Sequence, residues 1–133
     1  MPAGWILTRA VDRELALGPY CFTDSDVNPV WLRGRCEDGA PPQADLPVVT
    51  VPCGQLAVFE VLDLQSVSVL TLQVGSKSYR LKPRAHSSVA QRTWFTARWR
   101  VHGHSGALTL RVSGDQGRVS FLALLRIRHP GCR

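Results

Sequence analysis

Long hydrophobic runs are missing from this 133-residue chain. The longest, around Leu56–Leu62 and Phe121–Leu125, fall well short of the roughly 20 apolar residues that cross a bilayer as a helix. The motifs of common catalytic machinery are missing too. There is no G-x-S-x-G elbow, no H-E-x-x-H, no phosphate-cradling Walker loop and no G-x-G-x-x-G, so the parts from which an active site is usually assembled are not in view. Gly103-His104-Ser105-Gly106 lacks the residue an elbow needs between serine and the second glycine, and it reads as a loop. No C-x-x-C pair occurs, and the sole asparagine, Asn28, precedes Pro29, which removes it as a glycosylation acceptor. The chain is expected to be non-catalytic and to carry neither a metal nor a cofactor.

Lysine is scarce as well. Of sixteen basic residues only Lys77 and Lys82 are lysines. A guanidinium offers a planar fork that pairs bidentately with carboxylate or phosphate and stacks on aromatic rings, which an ammonium does not. The arginine bias therefore favours recognition of anions over mere solubility. Charge is also unevenly distributed. Residues 1–66 carry four bases against nine acids, a net of −5, whereas residues 67–133 carry twelve bases against Asp115 alone, a net of +11. Such asymmetry points to an anionic partner, unless the two halves neutralise each other within the fold.

Hydrophobic residues make up 44% of the chain and charged residues 20%, an ordinary globular balance. At this length one core is feasible and two are not, so residues 1–133 are expected to form a single domain. The acid-, glycine- and proline-rich stretch Cys36–Pro47 reads as an exposed loop inside it.

Four cysteines occur, Cys21, Cys36, Cys53 and Cys132, and they permit three disulfide connectivities. The first residues, Met1 to Arg9, show no basic start, apolar stretch or cleavage site of a secretory signal. On that reading the expectation is an intracellular protein, cytoplasmic or nuclear, with free and buried cysteines. An excised ectodomain would reverse it.

Short apolar stretches with β-branched and aromatic residues alternate with turn residues every 8 to 12 positions, the rhythm of sandwiches and barrels. Strands are expected near 5–11, 15–22, 30–35, 47–52, 55–62, 66–74, 78–82, 93–101, 107–113 and 118–128. Of these, 55–62 is ambiguous, because Gln55 to Leu64 could instead form a short helix and periodicity alone does not decide for an apolar run of this length. In strand count and rhythm the pattern resembles the antiparallel β-sandwiches of jelly-roll or galactose-binding-like type, with about 8–10 short strands and the last strand returning beside the first. Fold likeness of this kind carries no function.

The last third shows the clearest alternation. Phe95, Ala97, Trp99 and Val101 share one face and Trp94, Thr96, Arg98 and Arg100 the other. A turn at His102–Gly106 leads to Leu108, Leu110 and Val112 opposite Thr109, Arg111 and Ser113. The glycines of Gly114-Asp115-Gln116-Gly117 suit a tight hairpin. Beyond it Val119, Phe121, Ala123, Leu125 and Ile127 alternate with Arg118, Ser120, Leu122, Leu124, Arg126 and Arg128. This reads as an antiparallel meander with one packed and one arginine-bearing face.

The candidate binding residues are accordingly Trp94, Arg98, Arg100, Arg111, Arg118, Arg126 and Arg128. An indole beside guanidinium groups stacks on a ring while the arginines take phosphate or carboxylate. Leu122 and Leu124 on the same face favour a protein interface, where arginine and tryptophan serve as anchors, over the more uniformly polar surface of a nucleic-acid binder. The leading expectation is thus a non-catalytic interaction module, subunit or adaptor, that meets an acidic protein partner. A nucleic-acid-binding domain and a disulfide-bonded extracellular ectodomain for a ligand or carbohydrate are the alternatives. His102 and His104 would face the same way on an extended strand, but two histidines are an incomplete zinc site and read as solvated loop residues. Asp24-Ser25-Asp26 reads as an Asx-type turn.

Overall fold

In a computed structural model of the chain, described here for residues 2–22, 34–88 and 93–129, alternation of buried and outward side chains builds two antiparallel sheets that pack face to face. Among the described residues there are twelve strands: β1 (Ala3–Leu7), β2 (Asp12–Glu14), β3 (Ala16–Phe22), β4 (Cys36–Glu37), β5 (Val48–Pro52), β6 (Leu56–Leu62), β7 (Val69–Val74), β8 (Lys77–Leu81), β9 (Arg84–Ser87), β10 (Thr93–Arg100), β11 (Gly106–Gly114) and β12 (Gly117–Arg128). Gln43–Asp45 forms a short 3-10 turn. The protein is an all-β sandwich. Leu56–Leu62 is a strand and not a helix, because Ala57, Phe59 and Val61 point inward while Val58, Glu60 and Leu62 point out. Beyond the expected strands, residues 12–14, 36–37 and 84–87 form short edge strands, the second of them opening the stretch 36–47, expected to be all loop. The expected strand at 30–35 lies largely outside the described residues.

One sheet has five strands in the order β2-β1-β6-β10-β9, and the other has seven in the order β4-β3-β12-β11-β7-β8, with β5 pairing β12 in parallel. The twelve residues of β12 are long enough to pair β3 along the first half and β5 along the second. The last strand therefore lies at the centre of one sheet and β1 inside the other, so the two do not pair.

Between the sheets lies a continuous apolar core that includes Ile6, Phe59, Leu70, Leu72, Trp99, Leu110 and Phe121. Close approach of the sheets depends on Gly4, since a Cβ there would come within 2.7 Å of the Phe121 ring. The β11–β12 hairpin closes as its glycines suggest, with Gly114 paired to Gly117. Gly117 has φ +136 and abuts the Cys21 carbonyl, a place where any side chain would collide.

The predicted meander of three strands is corrected. β10 pairs β6 and β9, whereas β11 pairs β12 and β7. Residues 101–105 are a crossover between the sheets, held by Val101 N–H donating to Gln55 O and Gly54 N–H donating to Val101 O. Free cysteines are corrected too. Cys21 and Cys36 face each other across β3 and β4 and form a disulfide, and Cys53 is also disulfide-bonded. Cys132 lies outside the described residues, as do Asp24, Ser25, Asp26 and Asn28.

Candidate functional site: two outer faces of opposite character

Because β10 and β11 belong to different sheets, the seven candidate residues separate into two groups on opposite sides of the sandwich. Trp94, Arg98 and Arg100 project from the five-stranded sheet, while Arg111, Arg118, Arg126 and Arg128 project from the seven-stranded one. A single stripe containing all seven does not exist. All six arginines are exposed and Trp94 is half-buried.

On the seven-stranded sheet the spine is β12. Its outward side chains run Arg118, Ser120, Leu122, Leu124, Arg126, Arg128. Leu122 rests on Gly18, whose missing side chain makes room for it, and Leu124 pairs with Val48, itself 44% exposed. Arg111 lies diagonal to Arg118, through the Arg111–Ser120 pair, and donates from a guanidinium nitrogen to Gln73 Oε1 at 2.6 Å. Across β7 the same row reaches Arg80, which the sequence reading did not single out. An apolar centre thus has cations at both ends, separated along β12 by about 27 Å at roughly 3.4 Å per residue. Strands β3, β5, β7, β8, β11 and β12 contain no acidic residue. Mutual neutralisation of the chain halves is not seen here: none of Arg80, Arg111, Arg118, Arg126 and Arg128 forms an ion pair with a described carboxylate.

The outer face of the five-stranded sheet is mixed. Cross-strand rows read Ala3–Leu62–Trp94–His86, then Glu14–Trp5–Glu60–Thr96–Arg84, then Asp12–Leu7–Val58–Arg98, and finally Leu56–Arg100. His86 stacks on Trp94 with ring centres 5.4 Å apart, and its Nε2 lies 2.7 Å from Thr96 Oγ1. Strand β9 begins only at Arg84, opposite Thr96, which leaves a hollow of about 360 Å³ lined by Lys82, Arg84 and Arg98 among others. Arg100 donates to Gly54 O at 2.7 Å.

His102 and His104 do not come together as a metal pair. His102 donates from Nδ1 to Arg100 O at 2.7 Å and packs edge-on against Tyr79, with 5.0 Å between centres. His104 lies 6.3 Å from His129. Among the described residues no cluster of three or more His, Cys, Asp or Glu side chains has the geometry to hold a metal ion. No described helix is long and apolar enough to cross a membrane. Comparison with models of protein families, with curated proteins and with solved structures finds no match.

Proposed function

We propose that the protein is a non-catalytic interaction module whose seven-stranded sheet docks an acidic protein surface through Arg80, Arg111, Arg118, Arg126 and Arg128. The observation that carries this reading is the order of side chains along β12, with Leu122 and Leu124 between arginines at both ends. An apolar centre rimmed by charge is the anatomy of a protein interface, and guanidinium groups that form no ion pair with a described carboxylate are ready to pair with those of a partner. Trp94, Arg98 and Arg100 take no part in this surface. The disulfides support the extracellular alternative over an intracellular location, since such bonds persist in oxidising compartments. Nucleic-acid binding is the competing reading, and the two leucines weigh against it.

The test is capture on immobilised peptides that alternate glutamate with leucine, and on single-stranded and duplex oligonucleotides, at two salt concentrations. Retention by the peptide, lost in Leu124→Asp as well as in Arg118→Glu/Arg126→Glu, supports the interface. Tighter binding to oligonucleotides that falls steeply with salt and ignores Leu124 would transfer the surface to nucleic acid.

A further inference from the structure

The outer face of the five-stranded sheet carries half-buried Trp5, Leu7, Val58, Leu62 and Trp94 together with exposed Leu56. Partly exposed apolar side chains gathered on one outer sheet face are what an interaction site requires. We propose that its occupant is a second copy of the chain, packed sheet to sheet across a two-fold axis parallel to β6.

The charge pattern selects that axis. Acids lie at one edge of the face, Asp12 and Glu14 on β2, and bases at the other, Arg84 on β9 and Arg98 on β10, with apolar residues between. A two-fold rotation about a line parallel to the central strand β6 sets β2 over the partner copy's β9, and β1 over its β10. Residues keep their height along the strands. Glu14 and Arg84 occupy one row, so each copy's Glu14 meets the other's Arg84, twice per dimer. Ala3 shares its row with Trp94, so the small side chain meets the large one. Leu62 and Val58, both on β6, meet their own counterparts. An isologous contact requires this self-complementarity. A two-fold axis perpendicular to the strands would instead lay Glu14 on Glu14 and Arg84 on Arg84, which like charges oppose.

Glu60 lies on the chosen axis and faces its own counterpart. Arg98, diagonal to Glu60 through the Arg98–Val58 pair, approaches the two carboxylates from either side and offsets their repulsion in part. Arg100 stays at the rim, tied to Gly54 O.

Five strands at about 4.8 Å spacing and roughly 20 Å along β6 give a footprint of about 400 Å² per copy, which places the contact at the small, transient end of protein interfaces. A contact of that size makes a weak dimer that exchanges with monomer.

Sedimentation velocity of the full, disulfide-intact chain over a concentration series tests the proposal, on wild type, Glu14→Arg, Arg84→Glu and the double variant. Both side chains are exposed, so the fold should tolerate each change, and circular dichroism verifies it. Each single reversal should weaken association by about tenfold or more, the double reversal should restore it to within about threefold, and Glu60→Gln should strengthen it. A chain that stays monomeric at every concentration overturns the proposal, and so does association indifferent to the single reversals or not rescued by the double. The acidic-partner surface is on the opposite sheet, so capture of glutamate-rich peptide is independent of this outcome and the two readings fail separately.

Discussion

Trp99 shows how one side chain records its position in the alternation of β10. It is 4% exposed, packs 5.6 Å from the Tyr79 ring, and leaves its indole Nε1 buried without a hydrogen-bond partner. Two terms of opposite sign meet there. The ring fills the core, and Trp99→Ala should cost about 3–5 kcal/mol through the cavity it opens. The orphaned N–H costs folding about 1–3 kcal/mol, which Trp99→Phe removes along with some packing. Chemical denaturation should therefore show Trp99→Phe far closer to wild type than Trp99→Ala. Gly4 gives the converse case: Gly4→Ala drives a methyl group into the Phe121 ring and should cost about 1–3 kcal/mol by overpacking. Thermal melts of the two variants measure both effects.

Alternation within single strands was legible from sequence, and the residues it assigned to the interior, Phe95, Ala97, Trp99, Leu108, Leu110, Val112 and Phe121, are buried. The β11–β12 hairpin was equally legible, since the glycines of Gly114-Asp115-Gln116-Gly117 suit a tight turn between two alternating stretches. Sheet membership was not. Alternation says which way a side chain points relative to its neighbours but not which sheet its strand joins, and a short connection such as residues 101–105 crosses a sandwich as readily as it closes a hairpin. The pairing that decides the matter, Val101 with Gln55, links positions far apart in sequence. Arg80 escaped notice for the same reason, because it joins Arg111 only through β7. At this scale the Cys21–Cys36 disulfide ties the edge strand β4 to β3 across a sequence separation of 15. Loop-closure entropy assigns such a crosslink about 3 kcal/mol. Cys21→Ser/Cys36→Ser should lower the denaturation free energy by that order while the β-rich circular dichroism spectrum persists, and full unfolding would show that β4 and its loop matter more than an edge.

At the scale of the molecule, the contrast of −5 and +11 between chain halves becomes a contrast between sheets. The acids Asp12, Glu14 and Glu60 belong to the five-stranded sheet beside arginines, whereas the six long strands of the seven-stranded sheet bear bases alone. The fold thus converts a gradient along the sequence into two surfaces that face opposite ways, one arginine-rich with an apolar centre, the other amphipathic and self-complementary. The most direct measurement of that division compares Arg118→Glu/Arg126→Glu with Arg98→Glu/Arg100→Glu, reading the melting temperature and retention on the glutamate-leucine peptide from the same preparations. Exposed arginines usually move stability by less than about 0.5 kcal/mol, so both variants should melt near wild type, the first should lose the peptide and the second should keep it. Loss of binding in the second variant alone, or full binding by a stable first variant, would contradict the assignment of the acidic-partner surface to the seven-stranded sheet.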